Sequence, residues 1–362
     1  MSDLTVAYIS KYSYPVKTGG AEISNKLLID NIQNTKVIPV FENYSFEHIT
    51  PFPLRKLAIY ADILKQLNGK DVDVVVITQT NWSSLHGVFL ARLLGAKLII
   101  NECGDYWRQP TSYKRSVGKR VFTLCDGITV RTRFMKDYIL GFHPELGDKV
   151  RVISNSVDLR DYSYVPNTHG MDPVNGTNHT GTPLIFSFFG RLTAAKDPFK
   201  LIEIAEILRE RKVSFPYQFQ LYGKGHMEVE LKAVIRKKDL DDVVKLMGVV
   251  HHTEVKNVIT RSHSVLMPSV WEPQGRVILE AFACGRPILA SGAGGMVEAL
   301  KPEYPFICGS DASLYADHLI RLAHDPEYYT RICEENLIRS KEFDIRRNAP
   351  IFEKYFREIA ES

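Results

Sequence analysis

The sequence predicts an α/β protein made of two doubly wound, parallel-sheet domains. Three observations carry that expectation. Short, continuous apolar runs such as residues 4–10 and 74–77 read as strands covered on both faces. They alternate with amphipathic helical stretches in both halves of the chain, which implies parallel sheets with right-handed crossovers. Finally, 362 residues are long for one core, and residues 166–183 are rich in Pro, Asn, Gly, Thr and His with almost no large apolar side chain, as a linker or surface loop would be.

Composition narrows the class. Apolar residues make up 44% and charged residues 24%, the balance of a water-soluble globular chain. A net charge of +4 is too mild to argue for nucleic acid. No apolar run approaches the ~18 residues of a spanning helix, and the first residues lead straight into a strand with no secretory leader pattern. The five cysteines, Cys103, Cys125, Cys284, Cys308 and Cys333, form no C-x-x-C pair, which fits reduced, buried thiols in a cytoplasmic setting.

In the first half, strands are expected at 4–10, 36–41, 73–78, 97–101, 127–131 and 150–153, with helices from Glu22 to about Ile32 and at 53–67, 82–94, 113–125 and 133–141. Gly19 and Gly20 lie between the first strand and its helix, where paired glycines allow close backbone approach and expose helix N–H groups to an anion. Asp71-Val72-Asp73 opens a strand and reads as its punctuation rather than a metal motif. Asn101-Glu102-Cys103-Gly104-Asp105 ends a strand, where open α/β sheets place ligands. Between Arg108 and Lys136 the basic residues, Arg131 among them, face away from an apolar stripe. Two readings stay open there: a core-packed helix with a solvated face, or a dock for anionic lipid headgroups, by peripheral membrane contact, or for a diphosphate-linked acceptor. Too few aromatics interleave for single-stranded nucleic acid.

The second half repeats the alternation without repeating the sequence. Strands are expected at 184–189, 217–222, 243–247, 264–267, 287–290 and 305–308, and helices at 197–212, 226–238, 253–262, 275–284, 312–323 and 326–340, with a last helix at 347–360. Gly190-Arg191-Leu192 ends its first strand, and Lys196 follows five residues after Arg191; a fixed guanidinium plus an ammonium suits a diphosphate. Tyr222-Gly223-Lys224-Gly225 closes the next strand with room for close approach. His251, His252 and His263 read as helix-end or core residues, and His169 and His179 as solvated. Ser269 to Gly285 reads as a strand-end loop running into a helix, with Pro273 near the helix start, Glu272 just outside it and Glu280 two turns in. A loop carboxylate beside helix N–H groups can hold several hydroxyls of a sugar.

Glu272, seven residues, then Glu280, set in Glu-Pro-Gln-Gly-Arg-Val-Ile-Leu-Glu-Ala-Phe-Ala-Cys-Gly-Arg-Pro and followed by Gly294-Gly295-x-x-Glu298, resembles the signature of retaining family-4 glycosyltransferases of the GT-B fold. Gly-Arg-Leu-x-x-x-Lys-Asp at 190–197 is similar to that family's diphosphate clamp, and the resemblance covers nearly the whole chain. It implies two Rossmann-like domains facing across a cleft: an acceptor-side domain at 1–160, a nucleotide-sugar domain at 161–345, and a final helix at 346–362 crossing back to the first. It further implies a nucleoside-diphosphate sugar as donor and no required metal. Arg191 and Lys196 would hold the departing diphosphate, aided by the amides of Gly19 and Gly20. Glu272 and the N–H groups of Gln274, Gly275, Arg276 and Val277, after Pro273, would hold the donor hexose. Glu280 would take the ribose hydroxyls, and backbone near Val250 would meet the base. UDP-sugars and GDP-mannose fit equally. The family's usual histidine near Asn101 or Glu102 is absent here, and Glu102 or Asp105 is the candidate to orient an acceptor hydroxyl.

The acceptor, whether a glycan, a lipid-linked sugar or a small molecule, is unreadable, as is the oligomeric state. Cell-surface polysaccharide or glycoconjugate synthesis, in the cytoplasm or at the inner face of the membrane, is the expected setting. A sugar-nucleotide epimerase and a non-catalytic sugar-nucleotide-binding protein are the competing classes, since fold alone does not separate them.

Overall fold

A computed structural model describes residues 4–10, 20–41, 52–78, 84–104, 112–162, 164 and 182–362. The chain forms two compact units, Met1–Ser156 together with Ile345–Ser362, and Val157–Asp344. Gly19, Asp105, His169 and His179, and nearly all of the expected linker, lie outside the described residues. Among the described residues no helix is long and apolar enough to cross a membrane.

The first unit is a six-stranded, all-parallel sheet of β1 (Thr5–Ser10), β2 (Lys36–Phe41), β3 (Val74–Thr78), β4 (Lys97–Asn101), β5 (Gly127–Val130) and β6 (Val150–Val152). The order is β2-β1-β3-β4-β5-β6, so the winding reverses between β1 and β3. Crossovers are α1 (Gly20–Asn31), α2 (Phe52–Leu67), α3 (Ser84–Leu94), α4 (Ser112–Leu124) and α5 (Arg133–Phe142). Alternate strand residues face opposite sides. Ala7, Ile9, Val75 and Ile77 pack with Phe122 of α4 and Ile139 of α5. Val6, Tyr8, Val74 and Val76 pack with Leu28 of α1 and with Phe352 and Phe356 of the last helix, here α13 (Ile345–Ala360). Glu353 of α13 accepts the N–H groups of Gln33 and Asn34 at 2.6 and 2.7 Å. Asp73 is a strand brace, its Oδ2 accepting the Thr5 N–H at 2.7 Å.

The second unit contains β7 (Leu184–Phe189), β8 (Tyr217–Tyr222), β9 (Val244–Gly248), β10 (Ser264–Met267) and β11 (Ile288–Ala290), all parallel, in the order β11-β10-β7-β8-β9. Around them lie α6 (Phe199–Glu210), α7 (Glu228–Lys237), α8 (His252–Arg261), α9 (Arg276–Ala283), α10 (Met296–Leu300), α11 (Ala312–His324) and α12 (Pro326–Ser340). Phe186, Phe188, Phe219, Leu201 and Tyr315 fill one side of the core, and Met267, Ile278, Phe282 and Met296 the other. The strand expected at 305–308 is only an isolated bridge between Ile307 and Ala290. Pro305 has no N–H to donate to a ladder, and Gly309 turns the chain away at φ 59°.

The cysteine expectation needs one correction. Cys125, Cys284, Cys308 and Cys333 are buried, but Cys103 is partly exposed, because it lies in the loop that leaves β4 rather than in a core.

Candidate active site

In an open parallel sheet, ligands settle at the carboxyl ends of the strands where the winding reverses. In the second unit that reversal falls between β7 and β10, which are adjacent. The loop after β7 carries Arg191 and Lys196, and the loop after β10 carries Glu272. Two sequence motifs about eighty residues apart are therefore brought to one sheet edge by topology. Gly223, at the end of β8, and Val250, two residues past β9, leave from the same edge, and Gly223 donates its N–H to the Gly248 carbonyl at 2.7 Å.

Lys196 Nζ donates to Glu272 Oε2, joining the two loops directly. The side chains are 16% and 12% exposed, so the pair is largely withdrawn from water. Lys196 ends a short 3-10 turn, and Asp197 after it takes a left-handed φ of 44°. Burial holds the Asp197 carboxyl above its usual range, with Lys200 opposing that shift. Arg191 is exposed, and among the described residues it makes no ion pair. A second pair lies one turn into α9, where Arg276 Nε meets Glu280 Oε1 at 2.8 Å. Glu280 thus stands one turn into the helix rather than two, because α9 starts at Arg276. Pro273 lies outside the helix, which begins only after Gly275 turns the backbone at φ 87°; a glycine carries that turn without strain. Gln274 is buried in the same loop.

Glycines set how closely these loops approach. A Cβ on Gly223 would lie 1.8 Å from the Gly190 carbonyl oxygen, and one on Gly225 would lie 2.0 Å from that of Leu192, so the turns after β7 and β8 touch backbone to backbone. Glu272 is held in the same way. Its carbonyl accepts the Gly295 N–H at 2.9 Å, and a Cβ on Gly294 would come within 2.4 Å of that oxygen. The Gly-Gly pair that follows the glutamate motif is thus the wall against which Glu272 is positioned.

Two neighbours were not read from the sequence as part of the site, although His252 was expected at a helix end. Tyr162 lies near Glu280 and Arg276; burial raises its phenol, Glu280 raises it further and Arg276 opposes them. His252 opens α8, and burial, then His251 and Arg276, lower its imidazole below the ordinary histidine range. The Arg276–Glu280 pair was not read from the sequence either, although residues four apart share a helix face and that spacing was its signal. His263 is a core residue, its Nδ1 accepting the Ile185 N–H at 3.0 Å.

In the first unit, Gly20 is the first residue of α1. Glu102 is fully buried, and its Oε1 accepts the Gly104 N–H at 2.6 Å, so it braces its own turn. Arg131 is 4% exposed and does not belong to the basic surface expected for residues 108–136, because it directly follows the buried strand β5. Lys119, Arg120 and Arg133 are exposed.

With that geometry described, comparisons with known proteins are specific. Residues 30–161 match the family model "Glycosyltransferase Family 4", and residues 174–337 match "Glycosyl transferases group 1". The D-inositol 3-phosphate glycosyltransferase of Paenarthrobacter aurescens is 30% identical over 316 residues, 82% of this chain and 74% of its own. That of Pseudarthrobacter chlorophenolicus is 27% identical over 299 residues, 76% and 69% of the two chains. Anabaena HepE, solved with UDP and glucose, superposes with a TM-score of 0.77 at 17% identity, covering 98% of this chain and 100% of that one. Sucrose-phosphate synthase of Thermosynechococcus elongatus also gives 0.77, at 16% identity over 99% and 100% of the two chains. The two parallel-sheet units are those of the GT-B fold, and the chain belongs to the family-4, group 1 glycosyltransferases.

Proposed function

We propose that the chain transfers a sugar from a nucleoside-diphosphate donor to an acceptor hydroxyl with retention of anomeric configuration, in polysaccharide or glycoconjugate synthesis. The observation that carries this reading is the contact of Lys196 with Glu272 at the winding reversal of one sheet, with Arg191 in the same loop as Lys196 and Glu280 one turn into the adjoining helix. Solved relatives of the same fold hold UDP with glucose or UDP-glucose, which supports a nucleotide-sugar donor.

The chemistry follows from charge. As the anomeric C–O bond breaks, the ring gains positive character and the electron pair leaves with the diphosphate. On donor binding Lys196 shifts from Glu272 to the diphosphate and the exposed Arg191 joins it, so that both charges are in place before the bond breaks. Glu272, released, accepts hydroxyls of the transferred sugar. Glu280, set by Arg276, holds the ribose. The acceptor oxygen attacks the face the diphosphate leaves, and its proton passes to a departing phosphate oxygen. The cations do the work that a metal does elsewhere.

A thermal-shift screen of UDP-, GDP- and ADP-sugars identifies the donor, because a ligand that binds the native state raises Tm by mass action. The anomeric proton coupling in the product then tests retention, and turnover in EDTA tests metal independence. Donor consumption with no acceptor product, giving an isomerised sugar nucleotide, would replace this reading with epimerisation.

A further inference from the structure

From a buried cation in the first unit we infer that the acceptor carries an oxyanion, a phosphate or carboxylate group, held by Arg131 beside Cys103. The inference rests on the transferase reading above and specifies the acceptor's chemistry.

Arg131 directly follows β5 and stands two residues before α5, whose N-cap Thr132 accepts the Met135 N–H. Its guanidinium lies over the Phe352 ring of α13, 5.7 Å from the centroid. Its one hydrogen bond among the described residues runs from Nη2 to Cys103 Sγ at 3.5 Å. Among the described residues no carboxylate forms an ion pair with it; the Glu102 carboxylate at the end of β4 accepts the Gly104 N–H. The surroundings are polar but neutral. Tyr8 Oη donates to Asn25 Oδ1 at 3.0 Å, Asn101 Nδ2 donates to Tyr8 Oη at 2.5 Å, and Thr129 Oγ1 donates to Asn101 Oδ1 at 3.0 Å. These groups satisfy one another, and none of them is a carboxylate that could pair with Arg131.

A buried charge without a counter-charge costs several kcal/mol. A fold keeps one where a ligand supplies the missing charge. Arginine's fork of donors matches a phosphate or carboxylate, and the start of α5 adds a positive dipole end. The location is the carboxyl edge of a parallel sheet, where a ligand is received. Cys103 provides the opening: it is partly exposed while Asn101, Glu102, Gly104, Thr129 and Arg131 around it are buried.

Cys103 also supplies the assay, since the other four thiols are buried. Iodoacetamide labelling of the full chain is followed by mass spectrometry, with inorganic phosphate exchanged for chloride at constant ionic strength. Phosphate should slow Cys103 labelling at least about fivefold in the wild type, less in Arg131→Lys, and not at all in Arg131→Met, with folding checked by Tm. An acetate arm says whether carboxylate serves as well as phosphate. Protection that persists in Arg131→Met overturns the assignment. Protection by UDP alone, lost in Arg131→Met, assigns the cation to the donor diphosphate and overturns it too. Labelling already maximal at pH 6 and indifferent to phosphate makes a Cys103 thiolate the counter-charge, which likewise overturns the assignment. If Arg131→Met does not fold, the wild-type and Arg131→Lys titrations decide alone. None of these readouts requires transfer, so failure of the transferase reading is detected separately.

Discussion

Lys196→Ala tests the site most sharply, because it separates catalysis from stability. In the unliganded protein Lys196 neutralises Glu272, and both side chains are largely withdrawn from water. Removing the lysine leaves that carboxylate without its partner, at a cost of about 1–3 kcal/mol, which for a domain of this size lowers Tm by a few degrees per kcal/mol. Under the proposed mechanism turnover loses the cation assigned to the leaving diphosphate; a preorganised donor of this kind contributes about 10²-fold or more in kcat, near 2.7 kcal/mol. The assay measures Tm and steady-state transfer for Lys196→Ala and for the double variant Lys196→Met with Glu272→Gln. The double variant should regain most of the lost Tm, since no unpaired charge remains, yet stay as inactive as the single. Turnover of Lys196→Ala within about threefold of wild type would refute the clamp, and a double variant no more stable than Lys196→Ala would refute the pairing.

Glu280→Ala should mainly raise the donor KM, because the carboxylate that Arg276 sets is assigned to ribose binding; an effect confined to kcat would contradict that role. Gly223→Ala should destabilise the second unit by about 2–5 kcal/mol, combining backbone strain at φ 147° with a Cβ 1.8 Å from the Gly190 oxygen, whereas Gly147→Ala, with nothing within 4 Å, should be nearly silent in denaturant unfolding. Stability should also fall as pH drops below about 6.5, the ordinary histidine range. Burial, first among the causes, lowers the imidazoles of His143, His252 and His318, so the unfolded chain binds protons that the folded one refuses. Replacing all three with Gln should flatten the Tm profile between pH 7.5 and 5.5 relative to wild type, and an unchanged slope would remove them as its source.

Much of the molecule was determined by the chain as a string. Apolar runs of strand length, separated by helical periods, dictate parallel winding because each strand must be covered on both faces. The spacing of Arg191 to Lys196 and of Glu272 to Glu280 points to a candidate site only through the motifs around it that resemble the family's, since two glutamates eight apart carry little by themselves. The structure alone decided which loops meet. Sequence distance carries no information about strand order, and only the insertion of β7 beside β10 sets Lys196 against Glu272. The same holds for Arg131. Its neighbours in the chain are basic and read as surface, but a residue's burial depends on what packs over it, and here that is Phe352, more than two hundred residues away. Local pattern encodes local structure; counter-charge, burial and close approach belong to partners that only the folded chain brings together.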